Sequence, residues 1–361
     1  MSPSSASLPR WAWIFPLLAW LVLGVSLLLT PSLPVLIVVG LVLGAVVFAA
    51  VHHAEVIAHR IGEPFGTLVL AVAVTIIEVA LIVSVMLSGG PEKAGLARDT
   101  VYAAVMIVSN GIVGICLLIG GWQHREQGFH LFGASAAMGV LTVLAVTTLI
   151  LPNFTRTTEG PMLATSQLAF VGLTSLVLYC VFVFIQTVRH RDYFIVAGSS
   201  DEAEHALPPP TRTALLSLGL LLVCLVAVVL LAKMLSPAIE AAVARAGAPA
   251  AVVGIVIAAL VLLPEGLAAL RAARANRLQT SINLALGSAL ASIGLTIPTV
   301  AAVFIYTGQP LELGLAPKEM VMLALTLLVG GMTLATGRTT IMQGAVHLAI
   351  FAAFLFLSIV P

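Results

Sequence analysis

The chain is a string of apolar runs, each close to the roughly 20 residues a helix needs to cross a bilayer, and that leaves few folds open to it. Of its 361 residues 60% are hydrophobic and only 9% charged, a balance that a soluble domain of this size cannot carry. Requiring about 20 mostly apolar residues per span gives eleven candidate helices near 11–29, 34–59, 66–88, 100–121, 131–151, 164–188, 213–244, 249–270, 281–307, 319–336 and 340–360. The expectation is an all-α polytopic membrane protein whose principal partner is the lipid bilayer. The first run lacks a small-residue cleavage site and reads as a retained helix rather than a signal peptide. A formal net charge of +1 without a basic tail gives no sign of nucleic-acid binding. Cys116, Cys180 and Cys224 lie in apolar runs without metal or redox spacing, so neither disulfides nor a resident cofactor is expected.

Two stretches 185 residues apart repeat one pattern, Glu55-x4-Arg60-x-Gly62-x-Pro64 and Glu240-x4-Arg245-x-Gly247-x-Pro249. The first lies on the second span and the second on the seventh. Five crossings separate them, and an odd offset inverts one copy relative to the other, as in transporters built from inverted repeats. This predicts an N-terminal segment with the first helix (1–33), a repeat of helices two to six (34–188), a linker (189–212), and a repeat of helices seven to eleven (213–361). The linker is polar and rich in breakers, from His190-Arg191-Asp192 through the acidic run Asp201 to Glu204 to Pro208-Pro209-Pro210.

Orientation follows from Lys and Arg in alternate loops. With the N-terminus inside, Arg10, Arg60, Arg125, Arg189, Arg191, Arg212, Arg271, Arg274, Arg277 and Arg338 fall in the cytoplasm. Only Lys93, Arg98, Arg156, Arg245 and Lys318 fall outside, and Lys233 lies within a span. Ten against five places the N-terminus and the linker in the cytoplasm.

Glu78 and Glu265 stand about halfway along the third and eighth spans, where one charge costs ~3 kcal/mol on insertion scales. Either they are protonated, hydrogen-bonded packing residues, or they are the ion site. Low dielectric favours the neutral form of a carboxyl group and a neighbouring cation favours the charged form, so a metal ion and a proton compete for the same oxygens. Two carboxylates match a divalent cation, and a hard ion such as Ca2+ takes roughly 6–8 oxygen ligands in all. Thr75, Ser109, Asn110, Ser288 and Ser292 are candidate side-chain oxygens, each equally able to be a helix-packing contact. Pro264, immediately before Glu265, lacks an amide hydrogen and frees a carbonyl near Leu260.

Glu55 and Glu240 lie near helix ends, so they either orient the break that follows or act as relays or gates between the central site and the two faces. His52 and His59 flank Glu55 at spacings of three and four and share its helix face. They are either a metal or pH-responsive group or satisfied membrane-end histidines. Lys233, seven residues before Glu240, either pairs with it or snorkels outward.

On these residues the chain resembles the cation/proton exchangers of the calcium/cation antiporter superfamily, and among them the bacterial ChaA-type calcium, sodium and potassium/proton antiporters. The resemblance runs from about Pro34 to the C-terminus. Its most specific stretches are HAEVIAHRIGEPFGTLVLAVAVTIIEVALIV from His53 to Val83 and LPEGLAALRAARANRLQTSINLALGSALASIGLTIP from Leu263 to Pro298, with SNGIVGICLLIGG from Ser109 and the segment Tyr179 to Gln186. It implies that Glu78 and Glu265 are the two central ion-binding glutamates. The wider calcium/proton exchangers carry Gly-Asn-x-x-Glu at both positions, where this chain has Val74-Thr75-Ile76-Ile77-Glu78 and Val261-Leu262-Leu263-Pro264-Glu265. Without the two asparagines strict Ca2+ specificity does not carry over, and the resemblance to the ChaA type implies instead a choice among Ca2+, Na+ and K+.

The expected function is therefore secondary active antiport across a bacterial inner membrane, exporting Ca2+, Na+ or K+ against entering H+. The alternative is a sodium/calcium-type exchanger of the same superfamily that does not use protons. An intramembrane metalloprotease is disfavoured because no H-E-x-x-H is present, and a passive channel because the acidic residues are paired across a repeat.

Overall fold

The computed structural model describes residues 8–26, 28, 32–62, 65–89, 93–194 and 208–360. Among the described residues, eleven helices follow one another: α1 (Arg10–Ser26), α2 (Leu33–Ile61), α3 (Phe65–Gly89), α4 (Leu96–His124), α5 (Leu131–Phe154), α6 (Thr165–Arg189), α7 (Thr211–Arg245), α8 (Ala251–Arg274), α9 (Leu278–Thr307), α10 (Pro317–Leu334) and α11 (Ile341–Ile359). Nine of them are long and apolar enough to cross a membrane, while α1 and the Ala71–Leu87 stretch of α3 are shorter apolar helices. The protein is an all-α polytopic membrane protein, with the helices in the number and order expected.

The repeated Arg-x-Gly has a local meaning. Gly62 and Gly247 follow α2 and α7 with φ of 75° and 68°, a backbone region that glycine enters without penalty. The Gly62 amide donates to the Ala58 carbonyl at 2.9 Å and that of Gly247 to Ala244 at 3.0 Å. Arg60 and Arg245 lie in the last turns, where a cation is favourable beside the exposed carbonyls. This half of the repeated pattern is a helix stop.

One boundary differs from expectation for an electrostatic reason. α4 begins at Leu96 rather than near residue 100, taking Arg98 and Asp99 into its first turn. Arg98 Nε donates to Asp99 Oδ1 at 2.8 Å, and its Nη1 to Glu312 Oε2 at 3.4 Å and to the Gly314 carbonyl at 3.2 Å. Charges neutralised in this way need no loop. Of the linker, α6 runs to Arg189 and a 3-10 turn covers Arg191–Tyr193. The acidic run Asp201 to Glu204 lies outside the described residues.

Among the described residues π turns occur in four helices, at Ile107–Ile112 of α4, Val146–Ile150 of α5, Ile185–Arg189 of α6 and Ser292–Thr296 of α9. Those of α4 and α9 start 185 residues apart, the same offset as Glu55 and Glu240. π turns inside α-helices occur frequently at functional sites.

The chain forms two compact units, residues 1–85 with 202–242, and residues 86–201 with 243–361. In the first, His53 of α2 is fully buried and its Nε2 lies 3.0 Å from the Ala12 carbonyl of α1, while Trp20 Nε1 of α1 donates to the Val223 carbonyl of α7 at 3.4 Å. In the second, the α4–α5, α8–α9 and α10–α11 connections gather at one end. There strand β1 (Gln127–Gly128) pairs with β2 (Arg338–Thr339), and Gln127 Nε2 donates to Ala273 O and Asn276 Oδ1. Glu312 and Leu315 of the α9–α10 connection bond to Ala94 and Leu149 at the other end. In this unit α4 and α5, α8 and α9, and α10 and α11 thus run in opposite directions as successive pairs. α4 and α11 pack through small residues: a methyl on Gly121 would sit 2.7 Å from the Ile341 amide nitrogen, and one on Gly344 would meet the Leu118 backbone.

Candidate ion-binding site

In the second unit the site grows from α8. The helix runs unbroken through Pro264, so the Leu260 carbonyl loses the donor that would bond it one turn on. Glu265 follows, and both of its carboxylate oxygens are shielded from solvent. The next residue, Gly266, brings α8 against the α4 π turn, where a methyl would meet Ile112 Cδ1 at 3.1 Å. α8 also packs on α9 and on the π turn of α4, and α9 packs on that same π turn.

The expected oxygens divide into two groups. Ser109, 3% exposed, holds its hydroxyl inside the protein without a hydrogen-bond partner among the described residues, an arrangement that costs free energy unless something else satisfies it. Ser292 is buried in the π turn of α9, and Ser288 is half-buried one turn earlier. Asn110 differs. Its Nδ2 donates to Thr326 Oγ1 at 2.9 Å and its Oδ1 lies 3.0 Å from His347 Nδ1. Its amide is engaged with α10 and α11.

Thr296 was not among the expected residues, yet it is fully buried at the end of the α9 π turn, its hydroxyl without a hydrogen-bond partner among the described residues. Its signal was present, since it closes the stretch around Ser292. His347, Thr326 and Thr333 were also missed. An ionisable residue inside an apolar run was the criterion that singled out Glu78 and Glu265, and His347 meets it equally.

In the first unit Glu78 and Thr75 lie three residues apart on α3, each 5% exposed. The Thr75 hydroxyl donates to the Ala71 carbonyl at 2.8 Å, leaving its oxygen lone pairs available. The helix-end residues are wetter. Glu55 has a side chain 56% exposed, with Oε2 3.9 Å from His52 Nδ1. His52, Glu55 and His59 share a cavity of about 350 Å³ with Pro9, Pro209 and Thr213. Among the described residues no group of three or more His, Cys, Asp or Glu is arranged to hold a metal ion. Glu240 accepts from Ser236 Oγ at 3.0 Å, and Lys233 is exposed.

Among the described residues, eleven largely apolar helices, nine of them long enough to cross a membrane, with carboxylates shielded inside α3 and α8, make this a polytopic membrane protein. The chain belongs to the sodium/calcium exchanger protein family, which it matches over residues 31–188 and 216–360. It is 54% identical to the putative ionic transporter y4hA of Sinorhizobium fredii over 99% of its own length and 98% of that protein's. It is 38% identical to the sodium-potassium/proton antiporter ChaA of Escherichia coli, over 95% and 94% of the two chains. Its fold matches a crystal structure of the H+/Ca2+ exchanger CAX with a TM-score of 0.73 at 15% identity, covering 96% of this chain and 87% of that one.

Proposed function

We propose that this protein is a cation/proton antiporter in which Glu78 and Glu265 are alternately protonated and cation-bound, exporting cytoplasmic Ca2+, Na+ or K+ across a bacterial inner membrane. The observation that carries the reading is Glu265, whose carboxylate oxygens are sealed from solvent beside the π turn of α4. A charge there is costly, and either a proton or a cation neutralises it. The identity to ChaA supports protons as the counter-ion and monovalent cations among the cargo. Thr75, Ser109, Ser288 and Ser292 supply neutral oxygens, and Asn110 anchors the π turn that carries Ser109.

The common 185-residue offset of the α4 and α9 π turns and of Glu55 and Glu240 supports two inverted halves, 34–188 and 213–361, that exchange access between the faces. The Lys and Arg bias supports a cytoplasmic N-terminus and linker. Glu55 and Glu240 then act as relays at opposite faces.

The experiment is cation-induced proton movement in acid-loaded everted vesicles, titrating Ca2+, Na+ and K+ separately. Dequenching of a pH dye by at least one cation, lost in both Glu78→Gln and Glu265→Gln with correctly inserted protein, is the expected result. Na+-driven Ca2+ flux with no proton movement would replace this reading by a sodium-coupled exchanger.

A further inference from the structure

His347 lies in the middle of α11, 1% exposed, and the ion chemistry above makes no use of it. It is part of a hydrogen-bonded chain across three helices. Thr326 Oγ1 of α10 donates to its own Met322 carbonyl at 2.8 Å, so it accepts from Asn110 Nδ2 at 2.9 Å. Asn110 thereby turns Oδ1 toward His347, and Nδ1 of the ring donates to it at 3.0 Å. With its proton on Nδ1, the neutral ring accepts at Nε2 from Thr333 Oγ1, 3.1 Å away. Every member of the chain is at most 5% exposed. In this setting a broken link leaves a polar group stranded in the core.

The end of the chain that matters is Asn110, which sits inside the α4 π turn directly after Ser109 and its unpartnered hydroxyl. Gly114 makes room for the His347 side chain: a methyl there would stand 3.1 Å from His347 Cβ. We propose that His347 is a positioning residue that, through Asn110, fixes the π turn of α4 and with it the cation-facing hydroxyl of Ser109. The neutral ring acts as a spacer with a fixed tautomer, not as a carrier of the exchanged proton. The inference rests on the antiport reading for its consequence but not for its geometry.

The test uses the full chain in proteoliposomes and three substitutions. The amide of His347→Asn can replace Nδ1 and keep the bond to Asn110, His347→Gln reaches only toward Thr333, and His347→Leu loses both. Outer-shell partners of an ion site are typically worth ~10–100-fold in affinity. The cation concentration for half-maximal proton exchange should rise about tenfold in the Leu and Gln variants with little change in maximal rate. It should return toward wild type in His347→Asn, whose pH profile should match wild type. Backbone hydrogen exchange over residues 107–112 should rise in the Leu and Gln variants and not in the Asn variant.

Unchanged hydrogen exchange in His347→Leu would overturn the proposal whether or not the protein transports. Altered exchange with an unchanged half-maximal concentration would also overturn it, leaving the glutamate mechanism standing. A shifted pH profile in His347→Asn would make the ring a proton carrier and overturn the spacer role. Absence of any cation-coupled proton flux in the wild type would count against the antiport reading alone, since the hydrogen-exchange comparison still decides the positioning.

Discussion

Gly294 faces Tyr179 so closely that a methyl on its α-carbon would stand 2.6 Å from Tyr179 Cβ. Tyr179 is itself buried on α6, and the contact falls on the π turn of α9. Gly294→Ala should therefore overpack the α6–α9 interface and lower stability by about 1–3 kcal/mol. Gly287, seven residues earlier on α9, has nothing within 4 Å of the corresponding position. Gly287→Ala should leave stability unchanged or raise it by up to ~1 kcal/mol by restraining the unfolded chain. Thermal unfolding of the two detergent-solubilised variants against wild type checks the pair, and equal losses would count against the contact.

Ser109 offers a cleaner separation of function from stability. Its hydroxyl makes no hydrogen bond among the described residues, so Ser109→Ala removes nothing that holds the helices together. Unfolding temperature should stay level or rise slightly, while the cation concentration for half-maximal transport rises roughly 5–10-fold, the equivalent of one lost ion-facing oxygen. Thr326→Val is the contrast, since it strands the Asn110 amide and should lower the unfolding temperature. A Ser109→Ala protein with unaltered transport would remove that hydroxyl from the cation path.

The Arg98 guanidinium holds the first turn of α4 to the loop before α10 by bonds to Glu312 and Gly314, and is itself paired with Asp99 of the same turn. Arg98 and Asp99 have side chains only 19% and 12% exposed. Arg98→Gln leaves the Asp99 carboxylate without its cation and should cost on the order of 3 kcal/mol. Adding Asp99→Asn in the same chain should recover much of that loss. A double-mutant cycle by thermal unfolding measures the coupling, and additive losses would mean that the pair is solvated and weak.

Length and hydropathy decide that a segment must be a helix, because in lipid the backbone has to pair within its own segment. All eleven helices were legible for that reason. Glu78 and Glu265 stood out because a carboxylate in an apolar run has no cheap structural role. The π turns had no signal of their own, since Ile107–Ile112 and Ser292–Thr296 read as ordinary helix by composition. Nor did the partner of Asn110, because Thr326 and His347 lie 216 and 237 residues away in sequence. The repeated Glu-x4-Arg-x-Gly-x-Pro carried two messages at once. Its Arg-x-Gly portion is explained by helix termination at Gly62 and Gly247, so the repeat's conspicuousness owed as much to chain geometry as to ions.

The bare contact between α4 and α11 has a mechanical consequence. Where Gly121 meets the Ile341 amide and Gly344 the Leu118 backbone, no side chains intervene that could change rotamer and let one helix slide past the other. Main chain against main chain resists shear, and a slip of one helical turn, ~5.4 Å, would drive Gly121 into a neighbour with a side chain. At these two points the helices are locked backbone to backbone and move as a pair. Under the proposed antiport, access would have to change by motions that carry the pair together.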